Sequence, residues 1–297
     1  MVKRRKLAPK PHRPGRSGNG RNQKQNSHKA NDKARAQQSP TSKPRKNTQH
    51  AEPTIPFSPE DKILLVGEGD LSFAASLVEH HCCADVTATV PEKNLEELAG
   101  KYPHAPENVA KIEAEDSRVV YGVDATKMAP FVDKKGRDPG AGIMDRIIFN
   151  FPHVGGKSTD VNRQVRYNQE LLVSFFGRAA PSLAAGGSIV VTLFEGEPYT
   201  LWNIRDLARH SGLRIERSFA FRADAYPGYH HARTLGVVRS RGGGGEAGGA
   251  WKGEERAARS YVFVRKDEEP RPPVGGGGGG NGKKRRRGQD SESSDDD

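Results

Sequence analysis

Gly67-Glu68-Gly69-Asp70 follows directly on the apolar run Ile63-Leu64-Leu65-Val66. A G-x-G at the end of a strand lets the backbone approach a nucleoside ligand beside the N-terminus of the next helix. A dinucleotide turn would carry a third glycine, but Ser72 stands at that position and Asp70 follows the second glycine. A carboxylate there opposes a pyrophosphate and favours a cationic ligand, such as the sulfonium of S-adenosylmethionine (SAM). The glycine-rich phosphate loop of NTPases is absent.

Further acids fall where strand candidates end. Glu92 comes after Asp85–Val90, where such folds place an acid for ribose hydroxyls. Asp124 comes after Arg118–Tyr121, where a carboxylate can accept from an adenine amino group. Asn150-Phe151-Pro152-His153 closes a fourth run and puts an amide, a ring, a rigid proline and an imidazole at the same edge. A ring can stack on a base and an amide can bond its edge. His153 is the first candidate to accept a proton, because an unperturbed pKa of about 6.5 leaves it mostly neutral at pH 7. It can equally orient carbonyl groups of a substrate. Glu195, His230 and His231 are the other candidate acceptors.

The elements that must position these residues alternate. A helical pattern over Leu71–Val78 follows the first strand candidate, and Asn94–Lys101 follows the second, with Leu95 and Leu98 on one face. Asp145–Asn150 is the fourth strand candidate. A long helix is expected over about 161–180, with Val165, Leu171, Leu172, Phe175 and Phe176 facing inward. Ala185-Gly186-Gly187 reads as a turn before a fifth strand, Ser188–Leu193. Leu201–His210 reads as a helix with Trp202 in the core, and Leu213–Phe221 and Ser260–Val264 as the last two strands. No helical pattern separates those two, so they are expected to pair as an antiparallel edge hairpin. The result is an α/β domain, Rossmann-like, around a mainly parallel seven-stranded sheet with an antiparallel edge strand.

The domain is expected over 58–267, with a flexible glycine-rich insertion at 241–259. A basic arm, 1–57, and a Gly-rich, basic then acidic tail, 268–297, are both expected to be disordered. Of the net charge of +11 on 297 residues, residues 1–50 hold 15 Lys+Arg against the single acid Asp32. The arm therefore carries +14 and the remainder −3. Such an arm needs a polyanion, and nucleic acid is the first candidate. A membrane surface is disfavoured, because the arm has almost no apolar residues to insert. With RNA as partner, Tyr229 can stack on a base or fill the core, and Arg233 can hold a phosphate or stay solvated. The two cysteines, Cys82 and Cys83, are adjacent, so they offer neither a staple nor a metal site and suit a reduced compartment. No apolar run approaches the ~20 residues of a membrane span.

Several separated motifs, in order, resemble the fungal-type large-subunit (25S) rRNA uridine-N3 methyltransferases. They are Gly67-Glu68-Gly69-Asp70-Leu71-Ser72-Phe73, Asp145 to His153, Gly196-Glu197-Pro198-Tyr199 with Trp202-Asn203-Ile204, and Tyr226 to Thr234. The resemblance runs from about Asp61 to Val264. It implies a SAM-dependent enzyme of the nucleus and nucleolus that methylates N3 of a uridine in rRNA within pre-ribosomal particles. A monomer is expected, since the sequence shows no coiled-coil pattern or exposed apolar stripe. By position, Gly67, Glu68, Gly69, Asp70, Glu92 and Asp124 would hold SAM. Asn150, Phe151, Pro152 and His153 would border the target base. Two segments depart from the family pattern: Val90-Pro91-Glu92-Lys93 replaces a Ser-x-Asp-Ser type stretch, and Phe194-Glu195 stands where a lysine is usual. These departures keep a second reading open, a non-catalytic RNA-binding assembly factor. A nicotinamide oxidoreductase is disfavoured by Ser72 and by the arm.

Overall fold

The computed structural model describes residues 52–268, except 137, 157, 235 and 237–252. The arm up to residue 51, the tail from 269 and most of the glycine-rich insertion lie outside the described residues.

Seven strands form one sheet among the described residues: β1 (Lys62–Leu65), β2 (Asp85–Thr89), β3 (Arg118–Val120), β4 (Met144–Asn150), β5 (Leu183–Phe194), β6 (Leu213–Phe221) and β7 (Ala258–Arg265). Their order is β3-β2-β1-β4-β5-β7-β6. The first five pair in parallel, and β7 pairs antiparallel with both β5 and β6. The helices are α1 (Ser72–His81), α2 (Leu95–Lys101), α3 (Ala105–Ala114), α4 (Val161–Ala179) and α5 (Ile204–His210).

Side chains alternate across a strand, and β1 shows it. Ile63 and Leu65 join the apolar cluster under α1 and α3, while Leu64 and Val66 join the cluster under α4 and α5. Both faces of the strand are covered, which is why it reads as an unbroken apolar run. α4 starts where Asp160 accepts from the Arg163 N–H at 2.8 Å, and it buries Leu172, Phe175 and Phe176. Val165 and Leu171 are only half-buried.

Several expectations need correcting. The last two strands do pair antiparallel at the end of the sheet, but within that pair β7 is the antiparallel strand, one place in from the edge, and β6 closes the sheet. Composition explains the order: β7 carries Val262, Phe263 and Val264, which need neighbours on both sides, whereas β6 carries the exposed Glu216 and Arg217 that suit an edge. Ala185-Gly186-Gly187 is not a turn but part of β5, within a register irregularity opposite Met144 and Arg146. Glycine is required there, since a Cβ on Gly187 would lie 2.9 Å from the Met144 carbonyl oxygen. Leu201–His210 is broken: a 3₁₀ turn, Tyr199–Trp202, precedes α5, and Asn203 takes a left-handed φ of 51° between them. Leu95 is exposed, so only Leu98 anchors α2. α3 was not expected, although Val109 and Ile112 bury at helical spacing. Packing also begins before residue 58, with the Phe57 ring edge-on to His81 at 5.5 Å.

Phe175 sits inside the α4 cluster, 4.9 Å from the Phe149 ring and 5.6 Å from Phe176. Phe175→Ala is expected to cost about 3–5 kcal/mol, measured by urea denaturation.

Candidate active site

All the strands that run parallel from β1 to β5 end on one side, and a cleft of about 950 Å³ opens there. Every residue singled out for SAM or substrate lines it: Gly67, Glu68, Gly69, Asp70, Glu92, Asp124, Asn150, Phe151, Pro152, His153, Tyr229 and Arg233. His230 and His231 line it too, whereas Glu195 does not and pairs instead with Arg259 at 2.7 Å.

The glycine turn is held from both neighbouring strands. The Val66 N–H donates to the Ile148 carbonyl at 2.9 Å and the Glu68 N–H to Thr89 at 3.0 Å. Gly67 has φ +66°, and a Cβ on it would meet the Phe149 ring at 2.8 Å. Asp70 Oδ1 accepts from both the Ser72 N–H (3.0 Å) and the Ser72 hydroxyl (2.7 Å), closing the turn at the head of α1. A strap, residues 226–234, crosses over this turn. The His230 N–H donates to Ser72 Oγ at 3.0 Å, Ala232 packs on Gly69, and the Tyr102 hydroxyl donates to the Arg233 carbonyl at 2.7 Å.

The cleft wall is acidic. Glu68 is buried, and its carboxyl is pushed up to about 8, first by burial and then by the Asp70 charge. Glu92 is buried with Oε1 on Lys101 Nζ at 2.6 Å, while its Oε2 is buried with no hydrogen-bond partner. A hydroxyl donor of the kind a ribose carries would satisfy it. Asp124 is half spent: its Oδ1 accepts from the Thr126 N–H and hydroxyl, which holds its pKa below the usual range. Glycines that admit no Cβ, an orphaned carboxylate oxygen and a cluster of carboxyl groups whose charged forms a cation would favour together fit SAM, a cationic nucleoside.

The opposite wall follows β4. Phe151 has φ +50°, unusual for a side chain of this size, and its ring lies against Phe194 (4.5 Å), Phe221 (5.5 Å) and His231 (4.6 Å). Asn150 Nδ2 is buried without a partner. His153 Nδ1 accepts from the Gly155 N–H at 2.9 Å. That bond puts the proton of the neutral ring on Nε2, which makes Nε2 a donor. Burial lowers the pKa of His153, so the neutral form prevails. His153 thus presents Nε2–H as a hydrogen-bond donor. His231 is driven down to about 4, mainly by burial, and its Nδ1 lies 3.3 Å from the Tyr229 hydroxyl. Tyr229 is wall more than platform, its ring edge-on to Phe73 at 5.6 Å and Phe221 at 6.0 Å. Arg233 is exposed at the lip. Trp202 is core, as expected.

Some lining residues carried no sequence signal of their own. Lys101 and Tyr102 at the end of α2 matter only because the fold brings them to Glu92 and the strap. Tyr167, Glu170 and Ser174 line the cleft from α4, and their spacing of three and four was the one available clue.

The sheet order, the glycine turn and the acidic cradle define a Rossmann-like SAM-dependent methyltransferase. Residues 64–233 match the BMT5-like family model, described as rRNA (uridine-N3-)-methyltransferase BTM5-like. The chain belongs to that family. It is 29% identical to the 25S rRNA (uridine(2634)-N(3))-methyltransferase of Saccharomyces cerevisiae, over 71% of this chain and 74% of that one. It is 33% identical to heavy metal-associated isoprenylated plant protein 41 of Arabidopsis thaliana over 61% of this chain, though this spans only 34% of that longer protein. Among solved structures, a methyltransferase from Pyrococcus furiosus is similar with a TM-score of 0.39 and 19% identity, over 69% of this chain and 74% of that one.

The sign of one pH effect follows from Glu68. Its folded pKa is raised from 4.5 to about 8. From pH ~5 to ~8 the folded chain keeps a proton that the unfolded chain has lost, so this contribution to stability declines as pH rises. Glu68→Gln is expected to flatten that slope, seen as a smaller change in urea midpoint between the two ends of the window.

Proposed function

We propose that this chain methylates N3 of a uridine in large-subunit (25S-type) rRNA during ribosome biogenesis. It acts as a monomer in the nucleus, with nucleolar residence, and its basic arm, 1–57, holds the rRNA or pre-ribosomal particle. The domain spans 58–267, and the Gly-rich, basic then acidic tail follows from 268. The observation that carries this reading is the donor character of the wall after β4: Asn150 Nδ2 lacks an acceptor, and His153 presents Nε2–H.

Uracil N3 is flanked by two carbonyl oxygens and carries a proton at neutral pH. Removing that proton spreads negative charge onto both oxygens. Two donors aimed at those oxygens stabilise the anion where the charge appears. Asn150 and His153 take these roles, and the N3 proton passes to water. Cytosine places an amino donor at one of the two positions, which a donor on the protein cannot satisfy; the same pair therefore selects uridine. N3 lies on the pairing edge, so the uridine must be unpaired, and Phe151 stacks on its ring. Gly67, Glu68, Gly69, Asp70 and Glu92 hold SAM, with Asp124 at its base. When bound, SAM supplies an electrophilic methyl group on a positively charged sulfur. Holding acceptor and methyl carbon in line supplies much of the acceleration.

The test is transfer of labelled methyl from SAM to rRNA from cells lacking this modification, followed by nucleoside analysis. A 3-methyluridine product supports the reading. SAM and RNA binding with no transfer to any RNA would replace it with the non-catalytic assembly factor.

The donor role of His153 has its own signature. His153→Ala is expected to lower kcat by roughly 10²-fold, as loss of one such donor does elsewhere. His153→Gln, whose amide still donates, is expected to recover part of that loss. If His153 were the proton acceptor, the two variants would be equally impaired.

A further inference from the structure

A second cavity, of about 300 Å³, lies directly beside the main cleft. The two share Phe194 and Tyr199 as a common wall. The far side is Tyr261 on β7, with the Arg205 guanidinium 5.8 Å from its ring centroid. A second guanidinium, Arg256, lies 4.2 Å from the Phe194 ring centroid and 5.6 Å from that of Tyr199. Two acids nearby are engaged, Glu195 with Arg259 at 2.7 Å and Asp206 with Arg209 at 2.6 Å.

We infer that this cavity seats the nucleotide adjacent to the target uridine, in single-stranded RNA, by stacking its base among Tyr199, Tyr261 and Arg205. This rests on the RNA reading of the main cleft. Four features support it. First, at about 300 Å³ the cavity has room for a base. Second, its walls combine the aromatic faces of Phe194, Tyr199 and Tyr261 with the planar cation of Arg205, the pairing that holds unstacked bases without requiring a particular sequence. Third, the guanidinium groups also suit the phosphate between the two nucleotides. Fourth, a base lifted out of its stack leaves its neighbour unstacked too, and the shared wall gives each an aromatic surface. The seat also accounts for two segments that depart from the family pattern or lie outside the expected site. Phe194 stands in the dividing wall and Glu195 lines the second cavity, with the Arg256 cation over the Phe194 ring.

The full chain can be tested with Arg205→Glu, Arg205→Lys and the wild type. Binding of a short fluorescent oligouridylate is read by anisotropy, alongside SAM affinity by calorimetry. A second oligonucleotide carries abasic sites on both sides of its central uridine. The wild type is expected to lose about tenfold in affinity for the abasic RNA, in keeping with one lost base stack. Arg205→Glu is expected to lose a similar factor for the intact RNA, and little more for the abasic one. Arg205→Lys, which keeps the charge but not the plane, should fall between. SAM affinity should stay unchanged in both variants, which separates a lost seat from a damaged fold. Unchanged RNA affinity in Arg205→Glu, or equal binding of intact and abasic RNA by the wild type, overturns the seat alone. Failure of the wild type to bind either RNA overturns both the seat and the RNA reading. Expected binding losses with no methyl transfer from SAM would uphold the seat and overturn only the catalytic reading.

Discussion

At Gly69 the backbone of the first turn lies so close to the strap that a Cβ would fall 2.6 Å from the Ala232 Cβ. The contact joins segments more than 150 residues apart, the turn after β1 and the strap after β6. Ser72 locks it, accepting from the His230 N–H while donating to Asp70. Without this crossing the acids of the turn would face open water. With it, Glu68 is buried deeply enough to hold a proton near neutrality. The strap also brings Tyr229 and His231 to the wall where Phe151 stands. The cleft is therefore made by one close approach, which glycine and alanine permit and larger side chains would prevent.

Electrostatics then divides the cleft into two halves. The β1 and β2 ends contribute Glu68, Asp70 and Glu92, against which Lys101 compensates only Glu92 directly. Burying like charges is costly unless a cation arrives, and the pKa of Glu68 expresses that cost. The β4 end contributes hydrogen-bond donors instead. Asn150 has an amide nitrogen in need of an acceptor, and His153 is fixed as an Nε2 donor by one backbone N–H. An acidic half beside a donor half suits a cationic methyl source beside an acceptor that becomes anionic. The two halves meet at Phe151, whose left-handed backbone turns the chain out of β4 and into the cleft.

How the sheet is assembled sets which residues can meet. The parallel strands β1, β2, β3, β4 and β5 deliver their carboxyl ends to one edge, so turns far apart in sequence converge there. The insertion of β7 between β5 and β6 has a second effect. It sets Tyr261 and the residues that lead into β7, Arg256 among them, next to the end of β5. Had β6 been the inner strand of that pair, the flank would have been left to it, and the second aromatic cavity would not exist in this form.

By itself the sequence determined the local structure. The alternation of apolar runs named a parallel α/β domain and the G-x-G with Asp70 named the turn at the head of α1, while the charge of the arm gave the expectation of a polyanion. These signals are local because turn geometry, strand burial and net charge depend on neighbouring residues or on composition. Only the tertiary structure decided the rest. The sequence left His153 open between accepting a proton and orienting a substrate, and the Gly155 N–H on Nδ1 selects the donor. It left Tyr229 open between stacking and packing, and the rings of Phe73 and Phe221 place it in the wall. It gave no hint of Lys101, Tyr102 or the Tyr199–Tyr261 cavity, because those depend on contacts between segments far apart in the chain. A residue type states what a side chain is able to do, and the partner that the fold brings to it decides which of those things it does.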